Sequence, residues 1–248
     1  MTINLDTFYS QDTIDEWKQI IGQDLHYHFG YFNRKEDLET GLRQTVRNFY
    51  AHIPVGSRVL DVGCGWGGPA KMLKEERHCA VQGVTISRAQ VAYCRSIGLD
   101  VWQCDIEQDA LSGTYDVVFM LEVLSHIRNK ADVLAKLRPL APRLVISMTC
   151  MADNIDTPRT VFGGSIELYT QSEFVQAVED AGWRIQSLRN RRFQSLRTVV
   201  HWKKNLQRVY GKQTPPGQLG VLHNLTEIAR RSPIIWCHSF PLIDIVAE

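Results

Sequence analysis

A short glycine-rich turn is the segment of this sequence best suited to holding a ligand. Residues 59–68 read VLDVGCGWGG, a strand-like apolar run that contains Asp61 and is followed by Gly63 and Gly65. Glycine adopts positive φ at little steric cost, so this turn lets backbone N–H groups approach a ligand. Asp61 would repel a pyrophosphate and attract an ammonium group. We therefore expect a ligand that carries a cation here, the alternative being that Asp61 only caps its own turn.

Glu122 and His126 form a second set of residues that could do chemistry. They follow the apolar run YDVVFM at residues 115–120, and the carboxyl ends of parallel strands form the ligand crevice of doubly wound sheets. On a helical turn, their i,i+4 spacing would place both side chains on one face. An imidazole with an ordinary pKa of about 6.5 suits a general base. In the alternative interpretation, His126 caps or packs the next helix and Glu122 only orders a loop.

Alternating strand and helix signals surround these residues. Such alternation predicts parallel βαβ units with helices on both faces of one sheet. The predicted strands are 59–62, 80–86, 100–103, 115–120, 143–148, 183–188 and 234–246. The predicted helices are 69–77, 88–97, 130–137 and 172–181, with amphipathic helical signals over 191–232. Thr170 and Glu173 have the spacing of a capping box at the start of the 172–181 helix.

Composition and charge exclude several classes of protein. The chain has 248 residues, 44% of them apolar, and a formal charge of +1, which disfavours a generally basic nucleic-acid binder. The N-terminus lacks the basic and apolar regions of a secretory signal, and no apolar run is long enough to cross a bilayer. The six cysteines form no CxxC pair and no zinc-finger spacing. We expect a cytoplasmic protein with free thiols, no bound metal and no integral membrane segment.

The glycine turn resembles motif I of class I S-adenosylmethionine-dependent methyltransferases, and the resemblance covers almost the whole chain. It is closest to the branch that contains cyclopropane fatty-acid synthases, sugar O-methyltransferases, and sarcosine and dimethylglycine N-methyltransferases. GQDLHYHFGYF at 22–32, VTISRAQ at 84–90 and LEVLSHI at 121–127 resemble further motifs of that branch. The resemblance implies an α/β fold with a Rossmann-like, doubly wound, seven-stranded and mostly parallel sheet, an N-terminal helical cap and a helical lid insertion.

On this resemblance, residues 1–248 are expected to form a single methyltransferase domain. Residues 1–50 would be the helical cap and residues 51–150 the cofactor-binding core. Residues 151–233 would supply the acceptor-side helices and lid, and residues 234–248 the last strand.

The resemblance also implies binding of S-adenosylmethionine and of its product, S-adenosylhomocysteine. Asp61, Gly63 and Gly65 would hold the methionine part, and Tyr27 and His28 would close over it. The residues implied in cofactor binding are Tyr27, His28, Asp61, Gly63, Cys64, Gly65, Thr85, Ile86, Gln90, Asp105, Ile106 and Leu121.

At the adenosine end, the chain departs from many relatives outside this branch. Those relatives place an acidic residue at the end of strand two to bind the ribose, where this sequence has Thr85. Thr85, Ile86 and Gln90 would take over that role, and Asp105 and Ile106 would contact the adenine. Without the motif, Thr85 is an ordinary helix N-cap and Gln90 a solvated side chain.

We expect a small-molecule acceptor that is methylated at N, O or C. His126 is the candidate general base, with Glu122 beside it as the second catalytic residue. His26 and Tyr31 are expected to line the acceptor pocket. Phe29 and Phe193 occupy what look like bicarbonate-site positions of the cyclopropane synthases, which disfavours cyclopropanation.

The charge of the C-terminal third suggests an anionic group on the acceptor. Residues 181–226 carry nine Lys and Arg and no Asp or Glu, so the rest of the chain is net acidic. Arg192 and Arg197 are expected to bind an acceptor carboxylate or phosphate. Docking on an anionic membrane or carrier, and a solvated surface without function, are the alternatives.

Four rival functions are considered as alternatives. A nucleic-acid methyltransferase would show an N/D-P-P-Y/F motif where residues 121–124 read LEVL, and a dehydrogenase would show an acid where 84–85 read VT. A cyclopropane-synthase-like lipid enzyme and a non-catalytic S-adenosylmethionine-binding module also remain. The module would be expected to lose Glu122 and His126, which are present.

Overall fold

A computed structural model of the protein describes residue 6 and residues 11–155, 159–161 and 166–248. Within these ranges the helices are α1 (Ile14–Ile21), α2 (Leu38–Arg47), α3 (Gly68–Arg77), α4 (Arg88–Ser96), α5 (Lys130–Leu137), α6 (Gln171–Asp180), α7 (Arg192–Tyr210), α8 (Gly217–Arg231) and α9 (Pro233–Ser239). The strands are β1 (Arg58–Val62), β2 (Ala80–Thr85), β3 (Asp100–Gln103), β4 (Val117–Leu121), β5 (Arg143–Thr149), β6 (Thr160–Val161), β7 (Ile166–Glu167), β8 (Ile185–Asn190) and β9 (Leu242–Ala247). Single 3₁₀ turns span Tyr50–His52, Leu124–His126 and Arg138–Leu140.

Seven of these strands form one sheet in the order β3-β2-β1-β4-β5-β9-β8. Strands β1 to β5 pair in parallel, whereas β9 runs antiparallel between β5 and β8. The short β6 and β7 pair only with each other. The predicted α/β, seven-stranded and mostly parallel sheet is confirmed.

The predicted last strand, residues 234–246, is wrong in its first half. Residues 233–239 form α9, and the strand spans only Leu242–Ala247. Pro233 stands in the first turn of the helix, where a missing N–H costs nothing, and Pro241 separates the helix from the strand. The β-branched pair Ile234 and Ile235 made this helix look like a strand from its sequence.

The central strands alternate their side chains between the two faces of the sheet, as a period of two requires. Leu60, Val118 and Ile146 belong to the core packed under α5 and α6. Val59 and Val145 belong to the core on the opposite face, with side chains of α2 and α3. The central strands are therefore buried on both faces, as those of parallel sheets usually are.

A separate apolar core joins the N-terminal helices to α7, α8 and α9. It contains Trp17, Phe29, Trp202, Leu222 and Trp236. The ring centroids of Phe29 and Trp202 lie 5.3 Å apart. The N-terminal part of the chain and the three C-terminal helices therefore pack as one unit above the carboxyl ends of the strands.

Local capping explains where several helices begin. Thr13 and Glu16 form a capping box at α1, and Thr170 and Glu173 form the predicted one at α6. Ser87 caps α4 by accepting a hydrogen bond from the backbone N–H of Gln90. None of the helices in the described ranges combines the length and the apolar character needed to span a membrane.

Gly68 is the glycine of the turn at which a Cβ would meet backbone atoms of another segment. A Cβ at this position would lie 2.6 Å from the carbonyl oxygen of Asp24 and 2.9 Å from that of Leu25. We expect Gly68→Ala to lower the free energy of unfolding by about 1–3 kcal/mol, because backbone atoms must shift to relieve the overlap. Limited proteolysis should also show faster cleavage near Asp24 and Leu25.

Gly56→Ala is the matched control. Gly56 has φ +77° and open space around its Cβ position, so alanine adds only backbone strain of about 1–2 kcal/mol. In this control variant, protection of the Asp24–Leu25 backbone from proteolysis should stay as in the wild type. Equal protection in both variants would contradict the proposed contact between Gly68 and the N-terminal backbone.

Candidate active site

A cavity of about 560 Å³ lies at the carboxyl ends of β1, β2 and β4. Strands β1 and β4 are sheet neighbours whose onward connections diverge, which is where open α/β sheets bind ligands. The volume is in the range of small-molecule sites. The walls come from the strand ends, from residues 27–29 and from α7, α8 and α9.

The lining of this cavity agrees closely with the predicted cofactor residues. It contains Tyr27, His28, Asp61, Gly63, Cys64, Gly65, Thr85, Ile86, Gln90, Asp105, Ile106 and Leu121, together with Glu122 and His126. Four residues predicted for the acceptor do not line it: His26, Tyr31, Arg192 and Arg197. The structure therefore assembles the predicted cofactor and catalytic positions, but not the predicted acceptor positions.

Asp61 is a buried carboxylate with an unused acceptor. Its side chain is 3% exposed, and Oδ2 has no hydrogen-bond partner among the described residues. Burial raises the pKa of Asp61 to about 7. At Gly65, with φ +55°, a Cβ would meet nothing within 4 Å, so the backbone is open to the cavity. A buried acceptor beside an open backbone turn fits the ammonium group of an amino-acid moiety.

The adenosine-side residues form a small polar cluster at the end of β2. The Thr85 hydroxyl donates to Oε1 of Gln90 at 2.6 Å, and both side chains are buried. The alternative interpretation, in which Thr85 is a helix N-cap and Gln90 a solvated side chain, is wrong. Ser87 caps α4 instead, and Gln90 is only 5% exposed. Asp105 follows β3 and accepts a hydrogen bond from the backbone of Glu107 at 3.0 Å. The cluster presents hydroxyl, amide and carboxylate groups on the cavity wall.

Arg191 ties four separate parts of the chain together beneath the cavity. Its guanidinium donates to Asp244 Oδ1 at 2.8 Å, Phe29 O at 2.8 Å, Glu122 Oε1 at 3.0 Å and Ser147 Oγ at 3.2 Å. Its side chain is 1% exposed. We call Arg191, Glu122, Asp244 and the Phe29 backbone the Arg191 clamp. It fixes the N-terminal segment to the ends of β4 and β9.

Glu122 belongs to this clamp rather than to a helical face. It has φ +58°, a left-handed conformation that is rare for a glutamate, and its Oε1 also accepts from the backbone N–H of Phe29 at 2.9 Å. The expected helical turn over 122–126 is wrong, since the 3₁₀ turn begins only at Leu124. Burial raises the pKa of Glu122, and Arg191 opposes that rise. Glu122 therefore acts chiefly as an anchor for Phe29.

His126 lines the cavity, but its basicity differs from the ordinary value assumed from sequence. Burial lowers the pKa of His126 to about 4, and the nearby charge of Lys130 adds to the effect. The neutral imidazole is therefore the resident form at neutral pH. It can accept a hydrogen bond from an acceptor group, and it is a weak base.

His26 supports His28 from behind the cavity wall. His26 Nδ1 lies 3.2 Å from His28 Nε2, and His28 Nδ1 lies 3.1 Å from the carbonyl oxygen of Phe29. A carbonyl only accepts, so His28 Nδ1 must donate to it and His26 Nδ1 must donate to His28. Burial lowers the pKa of His26 to about 3 and that of His28 well below its usual range. Both rings are therefore neutral, and the pair fixes the orientation of His28.

Comparisons with known proteins indicate which family this chain resembles. Residues 43–153 match the family model of methionine biosynthesis protein MetW. A probable fatty acid methyltransferase of Pseudomonas putida is 25% identical over 229 residues, which cover 80% of this chain and 57% of that protein. The cyclopropane synthase MmaA2 from Mycobacterium tuberculosis superposes with a TM-score of 0.82 at 15% identity, covering 98% of this chain and 97% of the other. The family model, the curated methyltransferase relatives and the structural neighbours all indicate a class I S-adenosylmethionine-dependent methyltransferase.

The structural neighbours share the fold of this chain, and their names indicate different acceptors. Coclaurine N-methyltransferase, bound to N-methylheliamine and S-adenosylhomocysteine, superposes with a TM-score of 0.80 at 18% identity, covering 98% of this chain and 82% of the other. The chain spans between about a third and just over half of the length of curated relatives. At these identities the structural matches establish the fold alone.

The end of the cavity at the C-terminal helices is mostly apolar, a feature that was not predicted from the sequence. Its lining residues from this part of the chain are Trp202, Val221, Leu222, Asn224, Leu225, Ile228, Trp236 and Phe240. The spacing of Val221, Leu222, Leu225 and Ile228 is that of an apolar helical face, so periodicity in 217–231 could have revealed one wall. No local signal points to Trp202 or Trp236 as cavity residues.

Several cations of the basic stretch, residues 181–226, have partners within the protein. Arg191 pairs with Glu122 and Asp244, and Lys203 pairs with Glu227. Arg189 lies over the ring of Tyr31, 4.6 Å from its centroid, and donates to its hydroxyl. Arg192 and Arg197, which were predicted to bind an anionic group of the acceptor, do not line the cavity.

The Arg191 clamp should be essential for stability. We expect Arg191→Met to lower the free energy of unfolding by about 3–5 kcal/mol, because it leaves two buried carboxylates without their cation. Urea unfolding measures the change. Arg189→Met, which removes an exposed arginine two residues earlier, should change the free energy of unfolding by about 1 kcal/mol or less. Similar losses in both variants would contradict the clamp.

Proposed function

We propose that this methyltransferase moves a methyl group from S-adenosylmethionine to a small-molecule acceptor with a large apolar body. The observation that carries the proposal is the unpartnered carboxylate of Asp61 at the glycine turn. The cavity leads from there past Glu122 and His126 to an apolar end. One cavity thus offers a polar place for a cofactor and an apolar place for an acceptor.

The residues present fit the cofactor at three separate points. Asp61 and the open backbone at Gly65 suit the methionine part. Thr85 with Gln90, and Asp105 at the next loop, suit the ribose and adenine. Bound there, the cofactor supplies an electrophilic methyl group on a sulfonium.

The protein's own contribution is alignment and exclusion of water. Methyl transfer is an in-line displacement, so holding the acceptor atom behind the methyl group accounts for much of the rate. Trp202, Leu222 and Trp236 exclude water from the acceptor end. His126, neutral at physiological pH, accepts the hydrogen bond of an acceptor O–H or N–H and takes the proton as the methyl group is transferred.

Phe29 disfavours cyclopropane synthesis more strongly than Phe193 does. Phe29 lines the cavity and offers no side-chain hydrogen bond. Phe193 is 58% exposed, contacts the ring of His238 and does not line the cavity, so its predicted place in the site is wrong. Transfer to a heteroatom or to an activated carbon remains the proposed reaction.

Cofactor binding should depend on pH through Asp61. The free protein protonates Asp61 below about pH 7, and a ligand ammonium requires the carboxylate, so binding must release a proton there. The affinity for S-adenosylhomocysteine should therefore fall by about tenfold per pH unit below pH 7. Calorimetry in two buffers of different ionisation enthalpy measures the released proton.

Two variants separate Asp61 from other carboxylates. Asp61→Asn should bind S-adenosylhomocysteine weakly. Its affinity should change by less than about tenfold between pH 5 and 8, the change that one pKa unit would give. Glu107→Gln alters another carboxylate of the cavity lining and should keep the wild-type pH dependence. An affinity that is flat with pH in the wild type would argue against the role of Asp61.

His126 should support turnover rather than cofactor binding. A mass-spectrometric screen of apolar phenols, amines and acids with S-adenosylmethionine identifies an accepted substrate. With it, His126→Ala should lower kcat by roughly 100-fold and leave the affinity for S-adenosylhomocysteine unchanged. Ser125→Ala changes the adjacent lining residue and should retain the rate. An unchanged kcat in His126→Ala would show that positioning alone suffices.

A further inference from the structure

Lys130 is a buried ammonium group at the start of α5, and it holds two separate segments of the chain. The residue is 1% exposed. Its Nζ donates to the carbonyl oxygens of Ile127 and Glu167, each at 2.6 Å. Nζ also lies 4.9 Å from the ring centroid of Tyr169, within the range of a cation–π contact. Two carbonyl oxygens and one aromatic ring therefore surround an ammonium group that has three N–H donors.

The two carbonyls belong to the part of the cavity wall that contains His126. Ile127 follows His126 directly, and Glu167 precedes Leu168. His126, Ile127 and Leu168 all line the cavity. Glu167 lies in β7, 37 positions along the chain from Lys130. Lys130 therefore joins the Leu124–His126 turn to β7 from directly behind the wall.

The charge of Lys130 is held without an ion pair among the described residues. Its printed hydrogen bonds go to carbonyl oxygens, and the carboxylates that face it, Glu167 and Glu107, act from a longer distance. Burial lowers the pKa of Lys130 to about 8, and these two carboxylates oppose that fall. The group is therefore mostly protonated at neutral pH. A buried positive charge acts strongly on its neighbours, because little solvent screens it.

We propose that Lys130 is a positioning residue for His126, because its ammonium group fixes the turn that carries the imidazole and disfavours a second positive charge there. This role rests on the proposed function, in which the neutral imidazole accepts a hydrogen bond from the acceptor. Burial already disfavours the charged form of His126, and Lys130 is the charged residue that adds to this effect. The imidazole thereby stays neutral at a lower pH than it would without Lys130.

Two substitutions separate the hydrogen bonds of Lys130 from its charge. Lys130→Gln keeps two N–H donors, on a side chain one atom shorter, and removes the charge, whereas Lys130→Arg keeps both. NMR of the free protein at about pH 5 measures the protonated fraction of His126, whose signal is assigned by its absence in His126→Gln. We expect about one tenth in the wild type and in Lys130→Arg, and about half in Lys130→Gln, a tenfold gain in proton affinity.

Lys136→Gln is the matched control on the same helix. Lys136 also donates to backbone carbonyls, those of Ile106, Glu107 and Asp109. Its charge is not among those that act on His126, so the imidazole should stay as neutral as in the wild type. If Lys130→Gln fails to fold, the wild type decides together with Lys130→Arg. The His126 signal should then respond to deprotonation of Lys130 near pH 8 in the wild type and lose this response in Lys130→Arg.

The titrations are independent of cofactor and acceptor, which separates this inference from the proposed function. Failure to bind S-adenosylhomocysteine would overturn the proposed function and leave the protonated fraction of His126 unchanged. An equally neutral His126 in the wild type and in Lys130→Gln would give Lys130 a structural role alone and would overturn the inference. With an accepted substrate, the acid limb of kcat should move to higher pH by about one in Lys130→Gln, and an unmoved limb would also overturn it.

Discussion

The geometry of the site depends on one buried guanidinium, that of Arg191. It joins Phe29, Glu122, Ser147 and Asp244, which belong to the N-terminal segment and to the ends of β4, β5 and β9. Burying three ionised groups carries a large desolvation cost, which good geometry and full hydrogen bonding must offset. A network of this kind is better explained by the positions in which it holds its members than by a net gain in the free energy of unfolding. Here it holds Phe29 and its neighbours across the cavity.

The need to pair buried charges also explains why basic and acidic residues lie on different segments of the chain. Residues 181–226 contain no acid, yet several of their cations find carboxylates contributed by distant segments. Arg191 reaches Glu122 and Asp244, and Arg184 reaches Glu248 at 3.7 Å. Opposite charges placed on different segments favour the contacts that bring those segments together. The basic stretch thus contributes to assembling the C-terminal helices and β8 on the sheet.

Local signals in the sequence predicted the features that local physics determines. The glycine turn with Asp61, the α6 capping box and most strands were predicted correctly, because each depends on neighbouring residues. The contact between Arg191 and Phe29 joins residues 162 positions apart, and no periodicity encodes it. The strand predicted over 234–246 failed because packing of Trp236 against the cavity and Pro233 outweighed the propensity of two isoleucines. The lining of the acceptor end depends on tertiary packing for the same reason.

Burial leaves the carboxylate of Asp61 at the cavity with an Oδ2 that has no hydrogen-bond partner among the described residues. Desolvation is what raises the pKa of Asp61 to about 7. An ammonium group on a bound ligand would offset this desolvation, because it would supply the partner that the buried oxygen lacks. A ligand that binds only the folded protein in this way would also stabilise it against unfolding.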